Sequence, residues 1–456
     1  MILYSARQLA KLSKEQLIQL FLDLQNKYVE AEGKLKKKRK NKLNIKPNRK
    51  PASAKKKRKR RSLSGYGRKR EKADSVVEVY PTECPDCHGA LSLEENSYYS
   101  RQIIDIPLIS YQTTQFDFKR GWCKACKKMV CPKKDLSHLA LGKSRLGINL
   151  TSLIVVLSEE ADMTVLKIKN LFKTVWGLRI STGEIINCKH EIARVFKEKY
   201  EQIKQETREA VHKHADETSW RENGINGYVW EFVTRLSTLV VIRKSRSGNI
   251  PRQVLGEKPK GVLSTDFYAG YNKVKCPKQR CWVHLLRDVK DLTKEYPENK
   301  TVQNFYKEMS LFYKQIENGN GYKRNLVKLK WAQNRLFEII LSYAKSSACH
   351  KLINRMIKHG DELFTFLKYD GVSSSNNNEA ERRLRPLVVQ RKISYQTRSE
   401  LGTRIKEILA SISGTTKVRK QNLLQALQDR LKTAPEDLGD IQISRKKLAF
   451  DYINPP

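Results

Sequence analysis

The chain has 456 residues and a mass of 52.9 kDa, enough for two to four domains, and its 90 Lys and Arg against 48 Asp and Glu leave a net charge of +42. Such a charge calls for a polyanionic partner, nucleic acid first, and argues against a small-molecule metabolic enzyme. With no apolar run near the roughly 18 to 20 residues of a membrane span, no secretory layout at the start, and an odd nine cysteines, a reducing, cytoplasmic and nucleoid-associated setting is expected.

Residues 1–33 are predicted as an N-terminal helix. Ser13 and Gln16 make a capping box, and Leu17, Leu20, Leu24 and Ala31 recur at heptad-like spacing. The helix either pairs two copies as a short coiled coil or folds back onto its own chain. Residues 34–74 then change character: positions 34–72 hold 21 Lys or Arg and one acid, Glu71. Such a stretch cannot build a core and is expected as a disordered basic linker that binds phosphate non-specifically, or simply keeps the chain soluble.

Residues 75–135 alternate apolar and polar positions (Val76, Val77, Val79; Ile103, Ile104, Ile106) and are predicted as short strands. They carry Cys84-Pro-Asp-Cys87 and Cys123-Lys-Ala-Cys126. Two C-x-x-C pairs supply the four thiolates of a tetrahedral zinc site, which leaves no open position, so this zinc is structural. Cys131 and His88 are read as ordinary residues. Residues 136–205 are predicted as a helical module in which Gly177 turns the chain and Ser181 with Glu184 caps the next helix. It is either a helix-turn-helix-like DNA reader or a plain helical connector.

From 206 to 420 the period changes again. Strands are predicted over 210–218, 228–234, 236–243 and 261–266, followed by helices over 300–368, a polar run at 373–378 and a final helical region. Asp216 and Asp266 end predicted strands, where an open α/β sheet places its chemistry. Glu381 opens a helix dense in arginine (Arg382, Arg383, Arg385). Carboxylates so placed suit magnesium or manganese, and two such ions can activate water on one side of a phosphodiester and stabilise the leaving oxygen on the other. Cys281 and His284, three apart around Trp282, are read as packing near these acids, and Trp220 and Trp230 as core. Leu423, Leu424, Leu427 and Leu431, in the tail 421–456, are read as a packing helix.

At this point the chain resembles the transposases of bacterial insertion sequence family 66. The resembling blocks are HisAlaAspGluThrSerTrpArg (214–221), GlyTyrValTrpGluPheValThr (227–234), GlyValLeuSerThrAspPheTyrAlaGlyTyr (261–271), GlnArgCysTrpValHisLeuLeuArgAsp (279–288) and AsnAsnGluAlaGluArgArgLeuArgPro (377–386) with LeuValValGlnArgLysIleSer (387–394). The resemblance implies an α/β catalytic core of ribonuclease H-like (retroviral integrase) type with a helical insertion at about 290–370. It also implies a D, D, E triad: Asp216 and Asp266, 50 residues apart, and Glu381, with Glu379 as its competitor by register. Arg382, Arg385, Arg391 and Lys392 are candidate DNA contacts.

The function so implied is a DNA transposase. It would cut its element's terminal inverted repeats and join the 3′ hydroxyls to target DNA, as a homo-oligomer and with accessory proteins in some members. The rivals are a repeat-binding relic without activity and a metal-dependent nuclease that cuts without joining.

Overall fold

The computed structural model describes residues 110–130, 136–142, 144–317, 323–372 and 374–433, with a few isolated positions between 72 and 89. The predicted N-terminal helix, nearly all of the basic linker, residues 103–106, Cys84, Cys87 and Cys131 lie outside the described residues. The chain divides into two compact units, Met1–Pro107 and Leu108–Pro456. In the first, residues 75–79 are exposed and form no strand, against the expectation for Val76, Val77 and Val79.

The second unit begins with a hairpin, β1 (Gly121–Cys123) and β2 (Lys128–Val130), paired antiparallel. Its turn is the second C-x-x-C, closed by Lys127 at φ +47°. Four helices follow: α1 (Ile148–Glu159), α2 (Val165–Trp176), α3 (Thr182–Val195) and α4 (Lys197–Glu209). Gly177 ends α2 at φ +68°, a conformation glycine adopts without Cβ strain. The Ser181 hydroxyl accepts the Glu184 N–H at 3.1 Å while the Glu184 carboxylate accepts the Ser181 N–H at 2.8 Å, the reciprocal cap expected from sequence. Ile154, Ile168, Phe172, Ile180 and Ile185 form a small core of their own between α1, α2 and α3.

A five-stranded sheet is the centre of the fold. It contains β3 (His212–Glu222), β4 (Ile225–Thr234), β5 (Thr238–Arg243), β6 (Val262–Thr265) and β7 (Lys278–Arg280), in the order β5-β4-β3-β6-β7. β3, β4 and β5 run antiparallel, whereas β6 and β7 lie parallel to β3. Asn223 (φ +47°) and Gly224 (φ +79°) join β3 to β4. Asn-Gly with two positive φ angles is the tight turn whose twist matches a hairpin. Gly261 (φ +71°) enters β6 so close to β3 that a Cβ would lie 2.1 Å from the Val211 carbonyl oxygen. Helix α5 (Asn249–Leu255) makes the crossover from β5 to β6.

Helices cover both faces. Trp230, Phe232, Leu239 and Val241 pack with Tyr200, Ile405 and Ile412 in one layer, and Trp220, Val229, Val240 and Ile242 with Leu384 and Leu387 in the other. The last three helices are α11 (Asn378–Ser394), α12 (Glu400–Val418) and α13 (Leu423–Lys432), whose Leu423, Leu427 and Leu431 are buried.

Helix α12 also closes the free edge of β5. The side chains of Glu407, Ser411 and Thr415 accept the Ile242, Val240 and Thr238 N–H groups at 2.6, 2.8 and 3.1 Å. Four helical residues advance about 6 Å and two strand residues about 6.6 Å, so the two spacings match. An edge that would otherwise invite strand pairing is thereby satisfied.

Between β7 and α11 the chain forms α6 (Trp282–Glu295), α7 (Lys300–Glu317), α8 (Leu326–Tyr343), α9 (His350–Leu363) and the single turn α10 (Thr365–Lys368). Trp282, Leu285, Phe305, Met309, Phe312, Leu336, Met356 and Phe364 give these helices a separate core. The Trp282 indole N–H, donating to the Leu363 carbonyl at 2.6 Å, ties the first helix to the end of the fourth.

Candidate active site

Asp216 does not end its strand, as the sequence suggested; β3 runs six residues further, paired with β4 out to Glu222. What ends is the parallel ladder: β3 pairs with β6 only over His212–His214. Asp216 therefore stands just past the point where β3 and β6 part, and Asp266 directly follows the last residue of β6. The strand-end position proposed for an acid holds for the parallel half of the sheet.

Each acid is fixed by the backbone. Asp216 Oδ1 accepts the Glu217 N–H at 2.9 Å, and Asp266 Oδ1 accepts the Tyr268 N–H at 2.8 Å. Arg280, fully buried, donates to the Asp266 carbonyl at 2.9 Å and the Thr265 hydroxyl at 3.1 Å, with Glu362 on its far side at 2.7 Å. Glu381 lies in the first turn of α11, its Oε1 3.5 Å from His284 Nε2 and its Oε2 3.9 Å from Arg287. That Oε1 and His284 Nδ1 are buried with no hydrogen-bond partner.

The start of α11 is latched to both aspartate strands by a pair of residues. Asn377, fully buried, donates its side-chain amide to the Ala215 carbonyl at 2.8 Å and bonds the His214 ring at 3.2 Å. Its own N–H donates to Cys281 Sγ at 3.1 Å, and the Cys281 N–H donates to the Thr265 carbonyl at 2.9 Å. Ala215 precedes one aspartate and Thr265 the other, so Cys281 and Asn377 set the position of Glu381 against both. Asn377→Ala would leave a buried carbonyl and a buried ring nitrogen unpaired, at a cost of roughly 1 to 3 kcal/mol. A thermal melt is expected to show that loss, and the Asn377→Asp variant, which cannot donate to Ala215, is expected to share it.

Negative charge accumulates here. Burial first, then Glu217, Asp266 and Glu381, push the Asp216 carboxyl up to about 7. Glu217 is raised by burial but held by Arg246 at 2.7 Å and by the Tyr271 hydroxyl at 2.5 Å. Glu231, paired with Asp216 across the ladder and buried, is pushed far up by burial and by Asp216, and its Oε2 has no partner. Glu379, the register competitor of Glu381, is held by Arg383 at 2.9 Å and Arg382 at 3.4 Å. Among the described residues no three His, Cys, Asp or Glu side chains stand close enough to enclose a metal ion as they are.

Of the basic candidates, Arg382, Arg385 and Lys392 are exposed, whereas Arg391 is committed to β3, donating to the Thr218 hydroxyl at 2.9 Å and the Ser219 carbonyl at 2.6 Å. Trp220 and Trp230 are buried in the core. Cys123 and Cys126 sit on the β1–β2 turn, with the Cys126 N–H donating to Cys123 Sγ at 3.4 Å. Sequence reasoning missed Asn377, because a Ser/Asn run reads as linker, and missed Arg280 and Glu231, because charged residues read as solvated. Among the described residues no helix is long and apolar enough to cross a membrane.

Residues 143–405, more than half of the chain, match the model of the Transposase IS66 family. No curated protein matches the chain.

Proposed function

The chain belongs to the IS66 family of transposases, and from that premise we propose that it cuts the ends of its own insertion sequence and joins the freed 3′ hydroxyls to target DNA. Water attacks the phosphodiester at each element end and the 3′ oxygen leaves as a hydroxyl. That hydroxyl then attacks a phosphodiester of the target and forms a new 3′ oxygen–phosphorus bond as the target's own 3′ oxygen leaves as a hydroxyl, so no covalent protein–DNA intermediate forms. What supports the reading is that Asp216 on β3, Asp266 after β6 and Glu381 in the first turn of α11 lie near enough for the last two to add, after burial and Glu217, to the rise of the Asp216 carboxyl. The sheet order, three antiparallel strands then two parallel ones, supports a ribonuclease H-like core.

The donor set suits a hard divalent cation, magnesium or manganese: oxygen ligands, one of them a Glu381 oxygen with no hydrogen bond, and an aspartate raised by burial and then by neighbouring carboxylates. Asp216, Asp266 and Glu381 would hold it, and when bound it acidifies water and offsets charge on the phosphodiester. The protein's own groups do the positioning. His284 and Arg287 face Glu381 at 3.5 and 3.9 Å, the Tyr268 N–H and Arg280 hold the Asp266 loop, and Arg246 pairs with Glu217, to which the Tyr271 hydroxyl also donates, so that it does not compete. Exposed Arg382, Arg385 and Lys392 would meet phosphates.

The test is incubation of labelled duplexes bearing the gene's flanking inverted repeats with the full chain and manganese. A nick at the repeat tip and a joined product support the reading. A nick without joining reduces it to a nuclease, and binding alone reduces it to a relic.

For the front of the chain we propose a structural zinc on Cys84, Cys87, Cys123 and Cys126. The Cys126 N–H on Cys123 Sγ lowers that thiol and favours the thiolate a zinc knuckle needs. One zinc per chain is expected by elemental analysis of the purified protein, falling to none in Cys123→Ser. Zinc content unchanged in that variant would remove Cys123 from the site.

A further inference from the structure

Helix α11 carries Glu381 in its first turn and ends at Ser394, where the chain reverses through Tyr395 at φ +64°, ψ −42°. The Gln396 N–H donates to the Ser394 carbonyl at 2.8 Å, which closes a three-residue γ-turn of the positive-φ kind, the rarer and more strained of the two. A bulky aromatic at positive φ is an outlier, and glycine would make the same turn without a Cβ to strain it.

Both flanks hold the turn in place. Upstream, the Tyr395 N–H closes the last helical bond onto the Arg391 carbonyl at 2.9 Å, and the Ser394 hydroxyl donates to the Gln390 carbonyl at 2.7 Å. Downstream, Gln396 Oε1 accepts the Gly224 N–H at 2.7 Å, and the Thr397 N–H donates to the Arg221 carbonyl at 3.0 Å. The Trp220 indole also donates to the Thr397 hydroxyl, at 3.2 Å. These bonds stitch the turn to the tip of the β3–β4 hairpin. The Tyr395 side chain takes no part: it is 74% exposed, and its hydroxyl has no hydrogen bond among the described residues. A backbone strained around an aromatic that stabilises nothing in the fold is the pattern of a residue kept for contact with something else.

Charge around it names the partner. Arg221, Lys392 and Arg398 are exposed, and none has an ion-pair partner among the described residues. The neighbouring acids Glu222 and Glu400 are both met by Lys244, at 3.8 and 3.2 Å. The patch thus combines exposed cations, of which Arg221 also donates to the Asn226 side chain at 3.2 Å, with an exposed aromatic ring, the two elements by which proteins hold the backbone of an unpaired strand and stack on its bases. Along α11, Tyr395 stands about 20 Å from Glu381 at about 1.5 Å per residue, roughly six base-pair steps.

We propose that Tyr395 is a base-stacking contact for element-end DNA: its ring packs on the face of a nucleobase that leaves the duplex stack about six base pairs from the reacting phosphate, while Arg221, Lys392 and Arg398 take the flanking phosphates. The proposal rests on the transposase reading above. It needs the ring and not the hydroxyl, and it makes the strained turn a rigid mount that keeps the ring in place before DNA arrives.

The test uses the full chain and the same repeat duplexes, with 2-aminopurine placed singly at positions about four to eight base pairs from the cleaved phosphate. Wild type and Tyr395→Phe are expected to bind alike and to change the probe's fluorescence at one position. Tyr395→Ala and Tyr395→Gly are expected to lose that signal and to bind about tenfold more weakly, within the range for one stacked base. Tyr395→Gly is also expected to melt no lower than wild type, because it relieves the turn, so binding and stability move apart. If both small variants bind and change the probe's fluorescence like wild type, the stacking contact is overturned and the transposase reading stands. If Tyr395→Gly instead melts lower and loses binding in parallel, the residue is structural and the proposal falls. If wild type neither binds nor cuts the duplex, the transposase reading itself fails and takes this contact with it.

Discussion

Asp216→Asn is expected to abolish cleavage and joining, a fall on the order of 10⁴-fold or more as for other residues that act as part of one catalytic unit, while leaving the protein at least as stable as wild type. The two effects separate because the carboxylate is costly to the fold. Burial and the charges of Glu217, Asp266 and Glu381 raise it to about 7, against about 3.9 in an unfolded chain. Between those two pH values the folded protein holds a proton that the unfolded chain has released. Stability from this group therefore falls as pH rises from about 4 to about 7 and returns on acidification. Removing the charge removes that slope.

Melting curves across this pH range check the argument, and manganese provides a second reading. An ion that binds only the folded state stabilises it by about 2.7 kcal/mol at a hundred times its Kd. That stabilisation is expected in wild type and is expected to be much reduced in Asp216→Asn. A variant that melts lower than wild type at pH 7, or still cuts the repeats, would remove Asp216 from the site.

How far the site could be read from sequence depended on whether function and fold asked for the same residue type. The Asp266 position was readable because Val262, Leu263, Ser264 and Thr265 form a short buried strand and the acid interrupts it. Asp216 was readable as a residue but not in its place, because β3 continues past it on one side only, held by the Asn223-Gly224 turn. β7 was not legible: Lys278, Gln279 and Arg280 have no apolar alternation, and they form a strand because β6 lies alongside and Arg280 is used to clamp the Asp266 loop. In α12 the apolar residues Ile405, Ile408, Leu409 and Ile412 marked a packed helix. Nothing in Glu407, Ser411 and Thr415 distinguished an edge-capping row from a solvated face, since both are polar residues at a spacing of four. The order of long blocks around the acids, more than any local pattern, made the family visible.

Lys406→Met is expected to be among the most destabilising substitutions in the chain, although Lys406 lies on α12, away from the acids. Its ammonium is 2.6 Å from Glu159, a buried carboxylate on α1 that also has Lys189 at 3.3 Å. Lys406 also donates to the Gln390 side chain, and Gln390 in turn donates to the Ser158 and Glu159 carbonyls at 3.4 Å each. Deleting one partner of a buried pair leaves an uncompensated charge, typically costing about 3 to 5 kcal/mol. The double variant Glu159→Met/Lys406→Met is expected to recover part of that loss, because no charge is left buried alone: Lys189 is partly exposed and keeps the Ser158 hydroxyl, and only the Gln390 side-chain oxygen loses its donor. Burial pushes Glu159 up, but Lys406 and Lys189 outweigh it and hold the carboxyl at about 2. Its contribution is therefore present above the ordinary glutamate value near about 4.3 and is lost as pH falls toward 2. Asp216 gains stability on acidification down to about 4, where Glu159 begins to lose it, so the two groups together place their combined optimum near pH 4 to 5. Because Gln390 lies on α11, whose first turn carries Glu381, this network also joins α1 to the element carrying the third acid. Lys406→Met is accordingly expected to lower both the melting temperature and the cleavage rate, whereas a variant that melted like wild type at neutral pH would show that Lys189 alone suffices for Glu159.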